Sequence, residues 1–205
     1  MRILQILTIV ALVVFVGCEP ATKEVEKSSP HVAKLAPLID PAKLDSLKGK
    51  RAATPRLRKA CYWLEVASRE GADLKRFVHQ AHAQTGYDDK NRESIQSAAL
   101  IRNRDILEKL GCLDSEGMEK LRRGKAPTIT KGPYAGELAT GDHIIPRSIC
   151  PELDNCLFNL EFLPETLNQR KSNKIGKRQI DLAKKWSQLG ILSNQGLNQV
   201  KRRFE

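Results

Sequence analysis

The sequence predicts an α+β protein, mainly helical, in which a two-stranded antiparallel hairpin leads into a short helix. Three observations carry this expectation. Apolar residues recur at helical spacing over much of the chain from residue 56 onward. Two short stretches, 144–146 and 157–163, have strand character. Pro164 then holds Leu163 extended and suits a first helical turn, and Glu165 favours the positive end of that helix. One domain over residues 56–205 is enough for this length, with a helical part at 56–124, the hairpin and its helix within 141–174, and basic helices at 177–205.

At the start, Met1-Arg2 precedes an apolar run from Ile3 to Val16 that is too short to span a bilayer and reads as a signal peptide over residues 1–17. Phe15-Val16-Gly17-Cys18 resembles a bacterial lipobox, and the resemblance implies that Cys18 becomes a lipidated first residue. An ordinary secretory cut nearby is the alternative. Either way the chain is expected in the cell envelope, as a membrane-anchored lipoprotein or in the periplasm. Residues 18–55 read as a tether, since residues 19–55 carry five of the ten prolines among Lys, Glu, Ser and Ala. Leu35, Leu38, Ile39, Leu44 and Leu47 leave open a short helix docked on the domain.

From Arg56 the pattern is helical, with Leu57, Ala60, Cys61, Leu64 and Ala67 on one face and Gly71 as a stop. Residues 72–85 and 92–110 have helical composition, Gly86 and Gly111 stand where C-caps belong, and Asp114 or Ser115 can start a short helix to Arg123. His79 and His82 lie three apart, but no Cys or carboxylate cluster accompanies them, so a helix surface is expected rather than a metal site. Tyr62 and Trp63 read as packing residues rather than platforms for bases. Residues 125–140 form a connector with Thr128-Ile129-Thr130 as a candidate strand.

The chemistry concentrates in 141–174. Asp142 and His143 precede Ile144-Ile145-Pro146, where two β-branched residues predict a strand ended by proline. In the second strand Phe158, Leu160 and Phe162 alternate with Asn159 and Glu161, which predicts a core face and a polar face, with Asn159 toward the chemistry. On the following helix Asn168, Lys171 and Ser172 stand at i, i+3 and i+4, on one side. His143 is suited to take a proton from water near neutral pH. Asp142 and Asn168 offer only oxygen atoms, a donor set that favours Mg²⁺, with Mn²⁺ or Ca²⁺ as substitutes. One geometric demand follows: neighbours on a strand point to opposite faces, so a shared site needs a twist at the strand end.

These residues resemble the HNH, or ββα-metal, endonuclease motif in its Asp-His, Asn, Asn variant, similar to the HNH domain of CRISPR effector nucleases. The run Asn168-Gln-Arg-Lys-Ser-Asn173 also resembles the helix of secreted nonspecific endonucleases. The resemblance implies a metal carboxylate at Asp142, a general base at His143, a middle catalytic-motif residue at Asn159 and a last metal ligand at Asn168, where many members carry His. It implies hydrolysis of phosphodiester bonds in DNA, with RNA not distinguished.

Charge and cysteines bound the remainder. The chain carries 35 Lys and Arg against 24 Asp and Glu; removal of residues 1–17, with one Arg and no acid, leaves 11 − 1 = +10. Residues 168–205 hold ten basic residues against two acids. Arg147, Arg170, Lys171, Lys174, Lys177 and Arg178 are the candidate backbone contacts, and double-stranded DNA is the expected partner because few aromatics interleave the charges. Beyond Cys18, four cysteines in an oxidising compartment allow three pairings, of which Cys150 with Cys156, and hence Cys61 with Cys112, best suits a bridge bracing the motif loop, while the spacing equally leaves open four reduced, buried thiols. Two functions fit this composition: a metal-dependent endonuclease, or a basic nucleic-acid-binding lipoprotein that retains the motif without turnover.

Overall fold

The computed structural model describes residues 29–49 and 52–204. The expected signal peptide, the lipidation site Cys18 and the first part of the expected tether lie outside those residues. Among the described residues no helix is long and apolar enough to cross a membrane.

Among the described residues six helices precede the hairpin: α1 (Val32–Ile39), α2 (Pro41–Asp45), α3 (Thr54–Arg69), α4 (Leu74–Ala83), α5 (Lys90–Lys109) and α6 (Ser115–Arg122). Beyond residue 29 the first two replace the tether reading with its alternative, helix docked on the domain. Val32, Leu35, Ile39 and Leu44 are sealed in the core, and burying four such side chains outweighs the composition that suggests extended chain. Pro41 sits in the first turn of α2, where a missing N–H costs nothing, and Asp40 caps that turn by accepting from the Ala42 N–H. In α3 the expected face is the buried one: Leu57, Ala60, Cys61, Leu64 and Ala67 are all fully covered. Asp73, Asp89 and Asp114 each accept from an N–H three residues on, and so start α4, α5 and α6.

Two expectations in this half need adjustment. Tyr62 and Trp63 pack as expected, in edge contact with one another and with His31 stacked on Trp63. His79 is exposed and paired to Glu93 at 2.6 Å, but His82 is not a surface residue. It is 2% exposed, neither ring nitrogen has a hydrogen bond, and burial depresses its pKa. The stretch 128–130 forms only an isolated bridge, Thr128 to Leu138.

The sheet consists of β1 (Ala139–His143) and β2 (Leu160–Pro164), antiparallel, in register from Ala139 opposite Pro164 to His143 opposite Leu160. The first strand therefore lies upstream of the expected one. Ile144 and Ile145 are fully buried in the bend that follows β1, so their β-branched bulk fills core rather than extending a ladder. The second strand begins late, because residues Leu157–Asn159 form a 3-10 turn. Nor does β2 have a polar face: Asn159 and Glu161 are buried as thoroughly as Phe158 and Phe162.

The outer edge of β2 is closed by a side chain. Asn103 of α5, itself fully buried, donates to the Leu160 carbonyl at 2.9 Å and accepts from the Phe162 N–H at 3.0 Å. Its amide does what a third strand would do for that edge.

The hairpin separates two apolar cores. One gathers α1 to α6 with Ala139, Leu157, Leu160 and Phe162. The other gathers Ile145, Cys150, Leu153, Cys156 and Phe158 of the inter-strand segment with α8 (Lys177–Gln188) and α9 (Asn194–Phe204) through Ile180, Ala183, Trp186, Leu192 and Val200. Between hairpin and α8 runs the short α7 (Glu165–Lys171). Helix α9 is locked onto the inter-strand segment at Gly196, where a Cβ would fall on the Glu152 carboxylate. That carboxylate in turn accepts from the Ser193 hydroxyl at 2.7 Å.

The four cysteines expected to bridge are buried free thiols. Each pair has other company. Cys150 Sγ faces the Glu152 carboxylate at 3.8 Å, while Cys156 Sγ faces the Glu152 carbonyl at 3.7 Å and the Arg92 guanidinium at 3.9 Å. Cys61 sits inside the α3 face and Cys112 in the turn after α5. Burial pushes the Cys112, Cys150 and Cys156 thiols up to about 12 and Cys61 higher still, so all four are held as inert SH groups.

Candidate functional site

Strand alternation sets the site. Thr140 and Asp142 are the partly exposed residues of β1, whereas Ala139, Gly141 and His143 are buried. Gly141 lets the strand approach α3 closely, since a Cβ there would meet the Thr54 methyl at 2.5 Å. Helix α7 lies along the Thr140 and Asp142 side. Its first turn is tied to the connector by Thr166, which donates through N–H and hydroxyl to the Glu137 carboxylate at 3.1 and 2.9 Å. One turn on, Asn168 Nδ2 donates to Thr140 Oγ1 at 2.9 Å, which leaves its Oδ1 available. Next, Lys171 Nζ donates to Asp142 Oδ2 and to the His143 carbonyl, both at 2.5 Å.

A cleft of about 370 Å³ opens beside these contacts, lined by Thr140, Asp142, Glu165, Asn168, Gln169, Ser172 and Asn173. Its donors are oxygen atoms of two carboxylates, three amides and two hydroxyls, together with amide nitrogens. No trio of His, Cys, Asp or Glu suited to a metal exists among the described residues. The set does fit a hard cation that keeps several waters and shares a phosphate oxygen. The ammonium of Lys171 against Asp142 marks where positive charge is held. Ser172 ends α7 at φ 49°, ψ −136°, a conformation that favours glycine, so the cleft wall carries backbone strain.

His143 leaves β1 in another direction. Its Nε2 lies 2.9 Å from the Asp154 carbonyl and 3.1 Å from Asp154 Oδ1. The carbonyl has the hydrogen-bond geometry; Oδ1 lies off that axis and has no hydrogen bond of its own. A carbonyl can only accept, so Nε2 carries a proton, and in the neutral ring Nδ1 then carries the lone pair. Nδ1 has no hydrogen-bond partner among the described residues. The ring does not line the cleft at Asp142; the link between them is the His143 carbonyl on Lys171.

Asn159, expected in a catalytic position, is fully buried and spent on backbone: Oδ1 accepts from the Ile145 N–H at 2.9 Å, and Nδ2 donates to the carbonyls of Ile145 and Leu153 at 3.0 and 3.2 Å. It is a positioning residue that ties the two ends of the inter-strand segment together. Two expected phosphate contacts are likewise committed. Arg178 makes a bidentate pair with the buried Glu161 at 2.7 and 2.6 Å, which raises its pKa. Lys177 pairs with Asp181 at 2.6 Å while staying exposed. Arg170 and Lys174 are exposed without an ion pair among the described residues. Arg147 reaches the far oxygen of Asp154 at 3.5 Å.

The structure adds residues that sequence reasoning passes over. Asp154 orients the His143 ring, Thr140 orients Asn168, and Glu165, read only as a helix-end charge, lends its carboxylate to the cleft. Alternation could have flagged Thr140, two residues before Asp142; nothing in the spacing flags Asp154. No family model matches the chain, and neither a curated protein nor a solved structure does.

Proposed function

We propose that the protein is a metal-dependent endonuclease of the HNH, or ββα-metal, type that hydrolyses phosphodiester bonds of DNA. The observation that carries this reading is the order of parts: the hairpin ends β1 on Asp142-His143 and passes directly from β2 into α7, whose Asn168 meets the Asp142 face while the His143 ring keeps Nδ1 free. In that scheme His143 Nδ1 takes a proton from the attacking water, and the fixed Nε2–H donation to Asp154 keeps the ring in the required tautomer. Asp142 and the Asn168 amide oxygen would hold one Mg²⁺, which when bound polarises the phosphate and offsets charge on the leaving oxygen. Asn159 keeps the loop that carries Asp154 at its distance from β1.

The contact of Lys171 with Asp142 favours a second reading, a nucleic-acid-binding protein without turnover, because the carboxylate is already neutralised. Supercoiled plasmid decides between them. The nuclease reading expects nicked product with Mg²⁺ and none with excess EDTA; binding without nicking at any Mg²⁺, Mn²⁺ or Ca²⁺ concentration supports the second. We also propose export and anchoring through Cys18, for which wild-type protein in the membrane fraction and released Cys18→Ser is the expected result, and soluble wild-type protein the contrary one.

A further inference from the structure

Lys201, Arg202 and Arg203 are three consecutive cations near the end of α9, and position in the sequence gives no reason to separate them. The fold does. Gln199, Arg202 and Arg203 stand at i, i+3 and i+4 and line a groove of about 450 Å³ whose opposite wall is Ser148 and Ile149, from the turn after β1, and Asn173, from the turn after α7. Lys201 is exposed but does not line it. Asn173 also lines the cleft that contains Asp142 and Asn168, so groove and cleft adjoin through one residue. Neither arginine has an ion pair among the described residues. The helix that presents them is fixed in place by Gly196 against Glu152 and by Val200 in the second core.

We infer that this groove is a second phosphate-binding subsite for nucleic acid, in which Arg202 and Arg203 hold the backbone beside the phosphate at Asp142. The inference rests on the nucleic-acid reading above. Two planar guanidinium donors, with an amide and a hydroxyl facing them across the groove, suit phosphate oxygens. The groove has no aromatic wall for stacking a base. Nucleic acid is preferred to an anionic lipid surface because the two exposed arginines stand at a groove that shares Asn173 with the cleft of Asp142 and Asn168.

The test uses full-length protein with Lys201→Gln, Arg202→Gln and Arg203→Gln made singly, with thermal melts to check folding. Binding to a short fluorescent duplex is measured in EDTA, where no cleavage occurs, from about 50 to 200 mM salt. Arg202→Gln and Arg203→Gln are expected to weaken binding several-fold and to reduce the slope of log K against log salt by about one each, while Lys201→Gln changes little. Equal losses in all three variants would overturn the subsite in favour of general charge, and no loss in any would overturn it outright. So would losses on vesicles of anionic and zwitterionic phospholipid with none on duplex. Because metal is absent, failure to nick plasmid would overturn the nuclease reading and leave this result standing.

Discussion

Replacing Lys171 by Met tests whether the ammonium at Asp142 competes with the divalent ion. The two charged atoms are 2.5 Å apart, and their side chains are 16% and 17% exposed. Exposed pairs contribute about 0.2–1 kcal/mol, whereas breaking a fully buried pair costs about 3–5 kcal/mol. A pair this covered but still open to a cleft falls between, at about 1–2 kcal/mol. A cation entering at Asp142 must displace that ammonium and forgo its contribution. Since about 1.4 kcal/mol is tenfold in an equilibrium constant, Lys171→Met should tighten Mn²⁺ binding by roughly 5–30-fold, while Met preserves the packing of the aliphatic stem. Titration calorimetry, or the loss of free Mn²⁺ signal by electron paramagnetic resonance, measures this without substrate. Unchanged or weaker affinity in Lys171→Met would refute competition and assign the lysine to the phosphate alone.

Three further outcomes follow from particular contacts. Asn159→Ala should lower stability in urea by about 2–3 kcal/mol, because it leaves the Ile145 N–H and carbonyl unpaired in the interior and takes one of two donors from the Leu153 carbonyl; a change below about 0.5 kcal/mol would remove its bracing role. Arg178→Ala should destabilise by about 2 kcal/mol, a buried-pair figure discounted because Arg178 is 53% exposed, yet weaken DNA binding less than Arg170→Ala does. The reverse order would restore Arg178 as a phosphate contact. His82, whose pKa burial lowers from 6.5, binds its proton in the unfolded chain before the folded one, so stability falls as pH drops below about 6.5 toward the depressed folded value. His82→Leu should flatten that part of the pH profile of urea midpoints, and an unaltered profile would contradict the assignment.

The helical half is legible in the sequence because its signals are local. Leu57, Ala60, Cys61, Leu64 and Ala67 repeat at helical spacing, and Asp114 caps its own helix. What is not legible depends on partners far along the chain. Glu161 looks like the polar face of a strand until Arg178 arrives from α8 to neutralise it. Asn103 looks like an interior helix residue until β2 offers it an unpaired edge. The pair Ile144-Ile145 has strand propensity, but Asn159 folds its backbone into a bend, and tertiary contact overrides propensity there. Between Val32 and Leu44 the prolines suggest a tether while Leu35, Ile39 and Leu44 leave a docked helix open, and only core burial decides between the two. In the candidate site, the side-by-side placement of Asp142, Asn168 and Lys171 follows from their spacing on strand and helix. The role of Asp154 and the return of α9 to the groove at Asn173 come only from the fold.

The proposed nuclease chemistry depends above all on His143, and its most direct test is single-turnover cleavage by His143→Ala, run beside its affinity for the same duplex. Losing a positioned base should slow cleavage by about 10²–10⁴-fold, with affinity within about twofold of wild type because the groove arginines, Arg170 and Lys174 are untouched. Added imidazole should restore part of the rate. Wild-type cleavage by His143→Ala in protein shown to be folded would contradict the assignment of the reaction to this site.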